Sequence, residues 1–166
     1  MRHIVSILLQ NEAGALSRVA GLFSTRGYNI ESLSVAPTKD PMLSRLTLVT
    51  IGSDQVIQQI NKQLFKLIDV VNIIDMTMGD HIERELILLK VSLHKGNDSA
   101  VRKLIKAEAA RILDEAPANF TVELTASGSR VDDFIDRLGA HADILAVVRS
   151  GPMAISRGET VLSATF

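Results

Sequence analysis

One order of apolar patterns occurs twice in this chain, and it constrains the fold more than any other feature. Ile4 to Leu9 is a run of β-branched residues and leucine, short enough for a strand. It ends at Asn11-Glu12-Ala13-Gly14, a turn-forming tetrapeptide. Leu16, Val19, Ala20 and Phe23 then fall at helical spacing, and Gly27 stands where a left-handed residue ends a helix. Tyr28 to Ala36 is a second strand whose apolar phase slips between Ile30 and Leu33, which predicts a bulge. After the loop Pro37–Pro41, Leu46, Leu48 and Thr50 alternate with Thr47, Val49 and Ile51. Ser53 can cap a second helix with Val56, Ile57, Ile60, Leu64, Leu67 and Ile68 on one face. Val70 to Met76 closes the unit.

Met78-Gly79-Asp80-His81 breaks the pattern as a linker, and Glu85 to Leu93 begins the same order again. Asp98 or Ser99 is placed to cap a helix with Val101, Leu104, Ile105, Ala109 and Ile112 inward. A short strand precedes Pro117, and Phe120, Val122 and Leu124 alternate in the next. Ser129 can cap a last helix whose Val131, Phe134, Ile135 and Leu138 form an i, i+3, i+4, i+7 stripe, ending at Gly139. Ile144 to Val148 is the final strand, and the polar, glycine-containing stretch from Gly151 reads as a mobile tail. The fold class is therefore α+β: two ferredoxin-like βαββαβ sandwiches in tandem. The domains expected are residues 1–77 and 85–166, joined by a linker at 78–84. The strand from Tyr28 to Ala36 carries one charge, Glu31, and an edge so lightly protected calls for pairing with a second chain. A homodimer is expected.

Composition removes several classes of function. A net charge of −1 gives no attraction to nucleic acid or to an anionic membrane. With one Tyr and no Trp, aromatic platforms for bases are lacking, which argues against a pair of RNA-binding domains of the same element order. No run approaches the roughly 18 apolar residues of a membrane span, Met1 to Val5 opens no long apolar segment, and there is no cysteine; a cytoplasmic protein is expected. Searching for catalysis yields nothing: His3, His81, His94 and His141 are scattered without metal-ligand spacing and read as surface or linker residues. Glu83 and Glu85 at a strand start, and Asp132, Asp133 and Asp136 on the last helix, read as solvated carboxylates. No catalytic residue, no metal ligand and no bound cofactor is expected in this chain.

The turn from Asn11 to Leu16 is the constellation that could bind something. It precedes a helix whose first N–H groups lack intrahelical partners and whose dipole favours a carboxylate. Gly14 lets backbone approach a ligand, and the Asn11 amide can both donate and accept, as an amino-acid zwitterion requires. Asn29 opens the edge strand. The first two strands of a βαββαβ unit run parallel, so Asn11 and Asn29 lie at opposite ends of one sheet and converge only across a two-fold dimer.

Asn11-Glu12-Ala13-Gly14-Ala15-Leu16-Ser17-Arg18-Val19, with Arg26-Gly27-Tyr28-Asn29-Ile30-Glu31-Ser32-Leu33 and Val35-Ala36-Pro37-Thr38, closely resembles the small regulatory subunits of acetolactate synthase. The similarity runs on through Asp40-Pro41, Leu43-Ser44-Arg45 and Glu83 to Leu86, to Arg149-Ser150-Gly151 and Ser156-Arg157-Gly158. The resemblance implies that the first domain is an ACT domain and that the effector is valine, held by Asn11, Ala13, Gly14, Ala15 and Leu16 of one chain and Asn29 and Ile30 of the other. It implies a large catalytic subunit as partner. That subunit carries thiamine diphosphate, magnesium and FAD and acts in branched-chain amino-acid synthesis. A stand-alone ACT-type amino-acid sensor acting on another enzyme is the alternative reading.

Overall fold

The structure, a computed structural model, describes residues 1–164; Thr165 and Phe166 of the expected tail lie outside the described residues. The chain divides into two compact units: Met1–Ile82 with the segment from Pro152 onward, and Glu83–Gly151.

The first unit runs β1 (Arg2–Gln10), α1 (Ala15–Thr25), β2 (Ile30–Pro37), β3 (Leu43–Ile51), α2 (Asp54–Leu64), β4 (Val70–Asp75). Its sheet has the order β2-β3-β1-β4 with every neighbour antiparallel. The period of two along β1 sends Val5, Ile7 and Leu9 toward the helices, where they meet Val19, Phe23, Ile57, Ile60 and Leu64 in one buried cluster. The bulge is where the phase slip places it: the β2–β3 register shifts between Ile30 and Ser32. Ser53 caps α2, its side chain accepting from the Val56 N–H at 3.4 Å. The apolar stripe of α2 outlasts the helix, however. A tight turn follows Leu64, with the Leu67 N–H donating to the Leu64 carbonyl at 3.0 Å, and Ile68 is left 86% exposed instead of inward.

The second unit runs β5 (His81–Leu93), α3 (Asp98–Ala107), β6 (Arg111–Glu115), β7 (Asn119–Ala126), α4 (Gly128–Gly139), β8 (Ala142–Arg149), with sheet order β6-β7-β5-β8, again antiparallel. Ile87, Leu89, Val91, Phe120, Val122 and Leu124 pack against Val101, Leu104, Phe134 and Leu138. Several sequence expectations change here. α3 stops at Ala107, because Ala109 takes φ 55° and reverses the chain, so Ile112 packs from β6 and not from the helix. Asn97 and Ser127, one or two residues before the expected caps, stand at the starts of α3 and α4, and neither makes a side-chain capping bond. β5 begins at His81, so the second half of the expected linker is strand.

Glu85 is buried, not solvated: Arg149 donates to both its oxygens at 2.8 Å and reaches Asp132 at 2.8 Å as well. The two carboxylates push the Arg149 guanidinium well above its ordinary pKa. His3 is also buried, its Nε2 lying 3.1 Å from the Gly52 carbonyl oxygen.

The described part of the segment after Gly151 is anchored by pairing and hydrogen bonds. β9 (Met153–Ser156) pairs with β5, and the Arg157 N–H donates to the Asp80 carbonyl at 3.0 Å. Ala154 packs with Ile4, Val49 and Met76 in a small cluster of its own. Those residues sit on the sheet face opposite the helices, and they supply the physical reason: apolar side chains there need a cover. Polar ties hold the cover down. Arg45 donates from Nη2 to the Ala154 carbonyl and from Nε to Ser6 Oγ, both at 2.9 Å, and Asn72 donates to the Ser163 carbonyl at 2.8 Å. A chain ending at Ser150 is expected to uncover this cluster and lose roughly 1–3 kcal/mol of stability in the first unit. Urea denaturation checks it, and an unchanged midpoint would refute the covering role.

Candidate functional site

The turn between β1 and α1 is held from two sides. The Asn11 N–H donates to the Met42 carbonyl at 2.8 Å and the Asn11 side-chain amide to the Pro41 carbonyl at 2.9 Å, fastening the turn to the β2–β3 loop. That loop is braced internally, with Asp40 Oδ1 accepting from the Met42 N–H at 2.9 Å. On the other flank the Gln10 N–H donates to the Asp69 carbonyl at 2.8 Å. Asn11 thus spends one of its two side-chain N–H donors on the fold, which leaves the other N–H and the side-chain oxygen exposed.

Gly14 takes φ 88°, ψ −14° at the N-cap of α1, a left-handed conformation that side chains resist. Its carbonyl accepts the Arg18 N–H at 3.0 Å. No side chain caps α1 and no acid stands in its first turn; the Ala15 N–H donates to the Glu12 carbonyl at 3.2 Å, which leaves the Leu16 and Ser17 amides directed outward. Ala15 is buried beneath the turn and anchors it, while Ala13 is exposed and Leu16 is 38% exposed.

Arg18 and Asp69 were not singled out by pattern. Asp69 is buried, and Arg18 grips it in a two-pronged pair: Nε donates to Oδ2 and Nη2 to Oδ1, the latter at 2.9 Å. Hydrogen bonding to Arg18 holds the Asp69 carboxyl below the usual range, and the carboxylate raises Arg18 in turn. The available signal was a lone acid inside the apolar run Leu67-Ile68-Asp69-Val70-Val71. A Cβ built on Gly14 would stand 2.8 Å from Arg18 Nη1, so the pair also sets the space above the turn.

The structure does not bring the remaining two candidates to this turn. Ile30 pairs with Thr50, which also faces His3, whereas Gln10 faces Leu43 and Pro37 faces Ser44. Asn29 and Ile30 therefore stand at the end of the sheet opposite Asn11. Asn29 donates to Glu31 Oε1 at 2.7 Å and its carbonyl accepts from Thr50 Oγ1 at 2.6 Å, while Ile30 is half-buried against the core. β2, which begins at Ile30 directly after Asn29, is a sheet edge. Among the described residues, no group of three or more His, Cys, Asp or Glu is arranged to hold a metal ion, and no helix is long and apolar enough to cross a membrane.

Comparison with known proteins gives the class first. Residues 5–72 match the family described as the AHAS small subunit-like ACT domain, so the first unit is of the ACT type. Residues 84–158 match the family described as the small subunit of acetolactate synthase. The small subunit of Haemophilus influenzae acetolactate synthase is 46% identical over 159 residues, covering 96% of this chain and 98% of that one. The isozyme 3 small subunit of Escherichia coli is 45% identical over 162 residues, covering 98% and 99%. The crystal structure of the acetolactate synthase small subunit from Thermotoga maritima superposes with a TM-score of 0.84 at 32% identity, covering 96% of this chain and 99% of that one. The chain belongs to the acetolactate synthase small-subunit family.

The Arg18–Asp69 pair has a pH signature. Because the folded carboxyl lies below its unfolded value, its stabilisation is fully present above the ordinary aspartate range and is lost as pH falls through the lowered folded value, at roughly pH 4 and below. Asp69→Asn is expected to lower stability at pH 7 and to flatten the acid limb. Urea midpoints between pH 7 and pH 3 that fall in parallel for variant and parent would contradict the pairing.

Proposed function

We propose that this chain is the non-catalytic regulatory subunit of an acetolactate synthase, activating a large catalytic subunit and imposing feedback inhibition by valine. The observation that carries the reading is family membership over nearly the whole length, with both halves matched by small-subunit families. Within it, the β1–α1 turn is the effector's half-site. Uncapped amides of α1 take the valine carboxylate, the Asn11 carbonyl takes the ammonium, and Leu16 and Ala13 border the side chain. The other half comes from Asn29 and Ile30 of a second chain, joined through the open β2 edge in a homodimer.

Catalysis belongs to the large subunit in this reading, and so do thiamine diphosphate, magnesium and FAD. Both proteins act in the cytoplasm. A site shared by two chains couples occupancy to the geometry of the dimer, and a coupling of about 1–3 kcal/mol is enough to turn activation into inhibition. One methylene in an apolar pocket is worth only about 1–3 kcal/mol, so leucine and isoleucine act as weaker effectors.

Gly14→Asp tests the assignment. The new side chain meets Arg18, strains a left-handed position and sets a negative charge beside the effector carboxylate. Calorimetry is expected to show valine binding lost, while activation of the large subunit persists without valine sensitivity. Unchanged valine affinity would show that the site lies elsewhere.

A further inference from the structure

The helical layer of the first unit differs in charge from that of the second. On and beside α3 and α4 the arginines are neutralised: Arg102 by Asp98 and Glu115, Arg130 by Glu108, and Arg137 by Glu108 and Asp133. In the first unit, a cleft of about 600 Å³ is lined by Arg26, Gln59, Lys62, Gln63, Phe65 and Lys66, with three cations and no carboxylate. None of the three cations makes an ion pair among the described residues. Phe65, at the end of α2, is 49% exposed among them.

Helix dipoles account for part of this charge. Lys62 lies in the last turn of α2 and Arg26 is the C-cap of α1, each a position where a cation is favourable. A third cation and an exposed aromatic ring exceed that need. Phe65 and Arg26 are of the residue types enriched in protein interfaces, and the two lysines add positive charge that can steer an acidic partner. The occupant must supply negative charge. A second copy of this chain meeting the face about a two-fold axis would set the same cations against each other. A free small anion would leave the exposed Phe65 ring uncovered, which a protein surface would not.

We propose that this face, centred on Phe65 with Arg26, Lys62 and Lys66 around it, docks an acidic, partly apolar surface of the large catalytic subunit. The proposal rests on the regulatory-subunit reading. It places the docking surface on the helices, apart from the β1–α1 turn, with Arg26 three residues before Asn29 on the same stretch of chain.

The test titrates full-length parent, Lys62→Glu/Lys66→Glu and Phe65→Ser chains into purified large subunit, reading activation at low and high salt. The parent is expected to reach half-maximal activation at a concentration that rises with salt. The double reversal is expected to need at least about tenfold more chain and to lose that salt dependence. Phe65→Ser is expected to need several-fold more chain while keeping the salt dependence. Unchanged circular dichroism and valine calorimetry establish that fold and effector site survive the substitutions. Variants that activate along the parent curve overturn the proposal. A changed oligomeric state without large subunit assigns the face to a second copy and overturns it too. Failure of the parent itself to activate instead rejects the regulatory-subunit reading.

Discussion

Nine consecutive residue pairings hold β1 against β3, from Arg2 opposite Ile51 to Gln10 opposite Leu43, and this register distributes every other feature of the first unit. It buries Val5, Ile7 and Leu9 under the helices and leaves Ile4, with Val49, on the far face for Ala154 to cover. It also separates the polar residues of interest by the length of a strand. The turn at Asn11 sits at one end of the sheet, and Asn29 at the other. A slip of one residue would exchange the two faces and expose the core, so the separation is as rigid as the fold itself. One chain alone cannot close a site from both halves. A two-fold partner along the open β2 edge would supply the missing half, and in the proposed function regulation follows from that incompleteness.

The β1–α1 turn combines strain with support. Gly14 holds a left-handed conformation at a helix start that no side chain caps, and a polar start left bare is costly unless something satisfies it. Arg18 stiffens the first turn of α1 through Asp69, whose own backbone carbonyl holds Gln10 at the other side of the turn. The first-turn amides are thereby fixed in direction before any ligand arrives. Such preorganisation would let the small zwitterion of the proposed function bind through few contacts.

Much of this was legible in the sequence, and the misses share a cause. The β2 bulge showed as a phase slip between Ile30 and Leu33, and Ser53 announced the start of α2, because both signals are local. Ile68 and Ile112 were placed on helices by continued periodicity. In each case a short reversal ended the helix first, after Leu64 and at Ala109, and periodicity does not register a reversal. The segment after Gly151 looked mobile because glycine, proline and polar residues are turn signals. Its partners, Ile4, Val49, Met76 and Arg45, lie far away in sequence. The same distance hid the buried roles of Glu85, whose partner is Arg149, and of Asp69, whose partner is Arg18. For the turn, the residue types suggest a ligand and the resemblance suggests valine; the register sets Asn11 and Asn29 at opposite ends of one sheet, so the proposed site needs two chains.

The shared site can be tested by mixing chains. Gly14→Asp and Asn29→Ala homodimers should each be impaired in valine binding, because every site has lost one half. Co-refolding equal amounts makes mixed dimers in which one site is doubly damaged. The other joins an intact turn from the Asn29→Ala chain to an intact Asn29 from the Gly14→Asp chain. Calorimetry should then recover about one quarter of the parent's valine capacity, since about half the dimers are mixed and each carries one good site of two. A mixture that binds no more valine than the separate variants would contradict a site built from two chains.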